Sequence, residues 1–451
     1  MYVASVRPTD RVKGRVPGTV FALGAVSLLT DVSAEMVTAF LPAYLLFTLQ
    51  MSYAQFGVLD GLYTGATAVL RLVGGHLSDK TQRHKAVAVF GYGLSAVTKL
   101  VFPAVGASAF GIGATMAADR AGKGMRTAPR DALISLSTPP DRLGAAFGLH
   151  RTMDTAGALL GPLVTFLLMT NIGIVAGPVF AVSACFAFVG VIVLVAFVRE
   201  HRAAKPAGPS PSFRAGVGLL RDARYRRVAV GAGLLGLATL SDAFVFILVQ
   251  KATGIPQGLL PLLPLGTALV FLVAATPMGR LSDRVGSWNV FLGGHVLLLV
   301  VYLLLLVPGS GYVGAGVALV LHGLFYACSD GVLSARVSPL VPESLRASGL
   351  AVVQTGQALT RTVSSVGFGV LLQFAVFGVA VWTAIVALVV GVGGAWWLTA
   401  RDGDGAGVGM GVGLRLPLRF RGLRVLSQEL KDTPRRRGRP PKKRGTGSVS
   451  R

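Results

Sequence analysis

Between residues 19 and 400 the chain is a succession of apolar runs of helical-span length, punctuated by Pro, Gly and small clusters of charge. A bilayer's hydrocarbon core, about 30 Å thick, takes about 20 helical residues, and only helices and closed barrels satisfy their backbone groups there. Twelve such runs are readable, at approximately 19–48, 53–76, 86–106, 109–135, 143–169 and 175–198, then 227–250, 258–280, 289–307, 311–337, 345–373 and 377–400. With 53% of residues hydrophobic and 14% charged, the chain would not stay dissolved as a globule. Its 59 glycines show no three-residue period, which excludes collagen, and its apolar content excludes disorder. The two cysteines, Cys185 and Cys328, lie inside apolar runs and form no disulfide framework. The expected class is an all-α membrane protein of twelve transmembrane helices.

The first run continues past Asp31 and Glu35 with no small-residue cleavage pattern, so it is expected to remain in the mature protein. Basic residues fall on alternate connections: Arg7, Arg11, Lys13 and Arg15 before the first run, then Lys80, Arg83 and Lys85, then Arg142, the stretch 199–226, Arg284 and the tail. The opposite connections, 47–56, 103–111, 170–177 and 307–313, carry no charge. Basic residues in short loops stay cytoplasmic. Both termini are therefore expected in the cytoplasm, with the chain in the cell (plasma or inner) membrane. The net charge of +24 reads mostly as this topology signal, and anionic lipid at the inner face is the expected surface partner.

The two halves echo each other. Gly75-His76-Leu77-Ser78-Asp79-Lys80 after the second run matches Gly279-Arg280-Leu281-Ser282-Asp283-Arg284 after the eighth, and Asp131-Ala132-Leu133-Ile134-Ser135 matches Asp330-Gly331-Val332-Leu333-Ser334. The expected organisation is a cytoplasmic segment 1–18, a six-helix bundle 19–198, a cytoplasmic linker 199–226 whose Pro/Ser-rich run 205–212 is not expected to pack, a second six-helix bundle 227–400, and a basic tail 401–451.

These residues resemble the major facilitator superfamily, whose two six-helix bundles carry a G-x-L-x-D-R-x-G-R-[KR] motif between the second and third helices. The first copy here keeps Gly75, Leu77, Asp79, Lys80, Arg83 and Lys85, with Gln82 at a Gly position; the second has Ser287 and Trp288 where the basic pair stands. Arg120-Ala121-Gly122-Lys123-Gly124 resembles the family's R-x-x-Q-G motif near the proton-coupling site. Gly148, Gly157, Gly161 and Pro162 fit a G-x8-G-x3-G-P pattern of its drug:proton antiporter branch. The resemblance implies a secondary transporter, tilted toward export. It also makes Gly75, Asp79, Lys80, Arg83, Asp283 and Arg284, with Arg126 and Arg130, the candidate gate at the cytoplasmic face.

Charges deep in hydrocarbon cost about 2.5–3.5 kcal/mol each on insertion scales, so they are functional candidates. Asp31 and Glu35, at i and i+4, share one face of the first helix. Two carboxylates facing one cavity suit proton exchange, with Arg120 as the coupling cation. The structural alternative neutralises Asp31 permanently with Lys99 or Arg120. Asp119, Lys123, Arg126 and Arg130 step by four, three and four, a stripe that lipid cannot face. Arg126 and Arg130 admit a structural reading in which they pair with Asp79. Arg120, Lys123, Asp242 and Arg361 are the candidate substrate-binding residues, with an Asp242–Arg361 pair as the competing account.

The function expected is proton-coupled efflux of a small molecule. Uptake or uniport of an anionic nutrient is the alternative, motivated by Lys99, Arg120, Lys123 and Arg361; a transporter-like sensor with a regulatory tail is another. No nucleophile triad, phosphate loop or metal-ligand string is present in the sequence, so neither an enzyme nor a cofactor is expected, and the coupling ion is expected to be H⁺. The tail has 14 Lys+Arg against 4 Asp+Glu, and Arg437-Gly438-Arg439-Pro440 resembles an AT-hook. Lipid contact rather than nucleic acid is the reading at an inner membrane surface, and the chain is expected to act as a monomer.

Overall fold

The computed structural model describes residues 17–81, 83–139, 143–200, 213–342 and 345–400; side chains at 68, 69, 71–81, 144, 213–215 and 347 lie outside that description. Every regular element among these residues is a helix. α1 (Gly18–Ala43) runs on through a π-turn (Tyr44–Thr48), and α2 (Tyr53–Thr81), α3 (His84–Ala104), α4 (Ala109–Leu136), α5 (Leu143–Ile172) and α6 (Ala176–Phe197) follow. After the short α7 (Phe213–Gly218) come α8 (Ala223–Ala238), α9 (Asp242–Thr253), α10 (Leu262–Val285), α11 (Ser287–Leu304), α12 (Gly311–Ser329), α13 (Val332–Val337), α14 (Arg346–Phe374) and α15 (Phe377–Ala400).

Nine helical segments among the described residues are long and apolar enough to cross a membrane. α2, α4 and α14 are as long, at 29, 28 and 29 residues, but their polar side chains keep them out of that class. Local chemistry fixes several ends. Ser108 accepts from the Gly111 N–H at 3.2 Å to cap α4, Asp222 accepts from the Tyr225 N–H at 2.8 Å to cap α8, and Gly254, at φ 72°, ends α9.

Two expected continuous spans are interrupted. Within 227–250 the backbone leaves the helix at Thr239-Leu240-Ser241, where neighbouring side chains take up the freed groups. The Tyr302 hydroxyl accepts from the Leu240 N–H at 2.8 Å, Ser364 donates to the Thr239 carbonyl at 3.0 Å, and Ser241 Oγ accepts from the Phe244 N–H. Within 311–337 the break falls at Asp330-Gly331, with Gly331 at φ 79°. The Pro/Ser-rich run 205–212, expected not to pack, lies outside the described residues, and the rest of the linker, which has no proline after Pro211, is described from 213 on. The chain coils into α7, and Gly216 lies so close to Ser348 that a Cβ there would come within 3.0 Å of its atoms. Residues 1–16, 201–212 and 401–451 lie outside the described residues.

α1 lies along α5 and α6, α2 along α4, and α3 against α4 and α6; α8 lies along α14 and α15, and α10 and α11 against α12. The two sets meet where α2 runs along α14 and α5 touches α10. Gly57 and Gly369 make the α2–α14 approach possible: a Cβ on either would sit about 3 Å from the other's Cα.

Apolar packing is shared at one end and divided at the other. Near the uncharged connections a single cluster takes Phe40, Phe56 and Leu59 from the first set and Phe244, Leu248 and Phe368 from the second. Phe56 meets Phe244 edge to face at 5.0 Å, and Phe244 meets Phe368 at 5.2 Å. Near the basic connections each set keeps its own cluster, Leu23, Tyr92, Leu133 and Leu194 in one and Tyr225, Trp288, Phe291 and Val337 in the other.

Candidate functional site

α4 descends antiparallel to α1, so the cations at 123, 126 and 130 face positions 35, 31 and 27 in turn. The result is a ladder. Lys123 Nζ lies 3.4 Å from Glu35, Arg126 lies 3.5 Å from Asp31, and Arg130 donates to Ser27 Oγ at 3.2 Å. α5 closes it: Asp154 accepts from Ser27 at 2.6 Å and lies 3.5 Å from Arg130 and 3.3 Å from Arg151. Asp31 and Asp154 thus stand in the same ladder, each set against an arginine of α4. The Glu35 rung is open to solvent, with side chains 30% and 26% exposed, whereas the Asp31 rung is closed off.

α5 can lie this close because Gly157 and Gly161 abut α1 backbone. A Cβ on either would come within 3.0 Å of Leu28 or of Val32 and Met36. Gly148, in the same pattern, has open space around it.

Asp119 and Arg120 do not join the ladder. Asp119 is buried and paired to both Lys99 and Arg120, the latter at 2.5 Å, and accepts from Ser95 at 2.5 Å. The Arg120 guanidinium stacks 3.9 Å over the Tyr63 ring. Lys99 and Arg120 are therefore not the partners of Asp31; Arg126 is. Arg130 likewise pairs with Asp131, at 3.0 Å, and with Asp154. The stretch from Gly75 to Lys80 forms the last turns of α2, and the side chains of Asp79 and Lys80 lie outside the described residues; Arg83, Asp283 and Arg284 are exposed at the ends of their helices.

In the second set the break before α9 puts Asp242 in the first turn of a helix, where the backbone N–H groups favour an anion. The Tyr326 hydroxyl donates to Asp242, His322 Nε2 lies 3.7 Å away, and Arg361 lines one cavity together with Tyr326. Asp242 and Arg361 form no direct ion pair, and Tyr326 shares a cavity wall with each of them.

These groups face two adjoining cavities. One, of about 340 Å³, is lined by Glu35, Asp242, Tyr326 and Asp330 among apolar residues. The other, of about 360 Å³ and nearer the basic connections, is lined by Arg130, Asp131, Arg151, Tyr326, Asp330 and Arg361. Of the sequence candidates, Glu35, Asp242, Arg130 and Arg361 line these cavities, whereas Asp31, Arg120, Lys123 and Arg126 stand behind the wall. Sequence reasoning passed over Tyr326 and Asp60. Asp60, on α2, accepts from Ser365 at 2.5 Å across the seam with α14. The rule that flagged Asp31, an acid inside an apolar run, applies equally to Asp60. Tyr326 carried no such mark.

Comparison with known proteins places this geometry. The model of the Major Facilitator Superfamily matches residues 23–365. An MFS-type transporter of Methanocaldococcus jannaschii, MJ1317, is 29% identical over 384 residues, covering 83% of this chain and 93% of that one. Multidrug resistance protein MdtG of Salmonella arizonae is 28% identical over 219 residues, about half of either chain (47% and 52%). Among solved structures, nucleoside transporter NupG superposes with a TM-score of 0.71 at 16% identity, covering 85% of this chain and 99% of that one. At that identity the likeness speaks for the fold alone.

Proposed function

This chain belongs to the Major Facilitator Superfamily, and from that premise we propose that it exports a small molecule in exchange for protons by alternating access. Counting α8 with α9 and α12 with α13 as single crossings, and admitting the polar α2, α4 and α14, gives twelve crossings in two six-helix bundles. Both ends then face the cytoplasm of a cell membrane, because the basic connections lie on that side. The bundles touch at the uncharged end and part at the basic end, so the conformation read here is inward-facing. The gate residues of the basic end, Gly75, Asp79, Lys80, Arg83, Asp283 and Arg284, would close in the opposite state.

The observation that carries the coupling is the ladder, in which Asp31 and Asp154 each stand against an arginine of α4. With one proton between them the two acids carry a single negative charge. When the proton leaves, Arg126 and Arg130 are the cations that can answer the second charge, which draws α4 onto α1 and α5. Proton release and helix movement are then one event, with Glu35 the rung nearest the cavity. The antiporter-like Gly148, Gly157, Gly161 and Pro162 and the partial match to a multidrug resistance protein support export. Neutralising Asp31 to Asn is expected to abolish flux driven by a pH gradient in proteoliposomes; unchanged flux would contradict the assignment.

Uptake of an anionic nutrient has one supporting observation, Arg361 at the cavity wall, since Lys99, Arg120 and Lys123 each face a carboxylate. Accumulation of an anionic compound without a pH gradient would favour it.

A further inference from the structure

The two cavities differ in charge, and the difference bears on what the protein carries. The cavity of about 340 Å³ has three carboxylates in its wall, Glu35, Asp242 and Asp330, and no Lys, Arg or His; the rest includes Pro42, Phe246 and Phe271. The cavity of about 360 Å³ holds the arginines. Glu35 is opposed by Lys123, which lies outside the lining, but Asp242 has the α9 N-terminus, a hydroxyl donor and a histidine nitrogen at 3.7 Å and no Lys or Arg paired with it, and its side chain is 50% exposed to the cavity.

A neutral or anionic guest filling that space would strip water from Asp242 and return no countercharge, which opposes its binding. A cationic guest returns the charge, and aromatic side chains in the wall offer faces to it. A small hydrophilic cation would not replace the water lost from Phe246, Leu260 and Phe271, so charge and apolar bulk are required together. Arg361, beyond Tyr326, repels a cation from the outer cavity and so orients it.

We propose that the 340 Å³ cavity binds a lipophilic organic cation, with Asp242 as its countercharge. This rests on the transporter reading and names its substrate class. The test uses the purified full chain in detergent and three probes of similar shape: tetraphenylphosphonium, tetraphenylborate and neutral triphenylphosphine oxide, with uptake by empty micelles subtracted. Tetraphenylphosphonium is expected to bind and to raise the melting temperature, the other two not to. Asp242→Asn is expected to weaken the cation at least tenfold, and Asp242→Glu to retain it, with the probe-free melting temperature read for each. Tetraphenylborate binding as tightly as tetraphenylphosphonium would overturn the proposal, as would a folded Asp242→Asn protein with unchanged affinity. Should Asp242→Asn not fold, the comparison of cation with anion on the native chain decides alone. Cation binding without proton-driven flux would contradict the exporter and leave this proposal standing; proton-driven flux of an anion without cation binding would do the reverse.

Discussion

Asp119 is one carboxylate between two buried cations, and that imbalance sets what each substitution does. Removing Lys99 leaves a neutral Asp119–Arg120 pair, whereas removing Asp119 leaves two like charges with no anion. Breaking a buried pair by deleting one partner typically costs about 3–5 kcal/mol, and replacing buried charge by apolar bulk is often neutral. Asp119→Asn is therefore expected to lower the melting temperature of the purified protein sharply and Lys99→Met to leave it nearly unchanged; equal losses would contradict this arrangement. The ladder cations Lys123, Arg126 and Arg130 were legible from their three- and four-residue spacing, because that spacing defines a face. Which acid each would meet was not, since it depends on how α1 and α5 are rotated. Arg120 is the instructive case: its depth in the membrane marks it as important, and depth does not say that it turns toward Tyr63 and Asp119 rather than into the cleft.

Helices in this molecule are placed by small residues as much as by apolar ones. Gly157 and Gly161 let α5 lie on α1, so Gly161→Val is expected to force the helices apart at a cost of about 1–3 kcal/mol, the range for overpacking. Gly148→Ala is expected to leave stability unchanged, because nothing lies within 4 Å of a Cβ there. Thermal unfolding of the two variants separates these expectations, and a Gly148→Ala protein as unstable as Gly161→Val would contradict them. The long helices were legible from apolar run length. The breaks were not equally so: Gly331 marks one, whereas Thr239-Leu240-Ser241 contains neither Gly nor Pro, and only the cap pair Ser241-Asp242 hints at a new helix start. That break positions Asp242, so an important feature of the second half is set by tertiary hydrogen bonds from Tyr302 and Ser364.

At the scale of the molecule, the end closed here is held by few polar bonds. Thr362 donates to the Gly61 carbonyl at 3.0 Å, Ser365 to Asp60 at 2.5 Å, and the Tyr53 N–H to Gln373 at 3.1 Å. At about 0.6 kcal/mol each inside a membrane these total about 2 kcal/mol. A difference of a few kcal/mol leaves the alternative conformation measurably populated. Gly57→Leu, wedged against Gly369, is therefore expected to shift the population toward opening at this end, read as a lengthened distance between spin labels there; an unchanged distance would contradict the role given to the glycine seam. The repeated halves were legible in the paired Gly-x-Leu-Ser-Asp strings. Which end is closed was not, because it depends on how the two sets meet, through Gly57 against Gly369 and Phe56 against Phe244, and no single run records that.

The account's central claim is reciprocal opening, and paired spin labels measure it most directly. In protein with Cys185 and Cys328 replaced, one pair goes on Ala86 and Val285 at the basic end and the other on Phe110 and Tyr312 at the uncharged end, all exposed positions. As the pH is raised and the acids of the ladder give up their proton, the first distance is expected to shorten while the second lengthens, and Asp31→Asn to abolish the response; distances that stay fixed, or that change together in the same direction, would contradict alternating access.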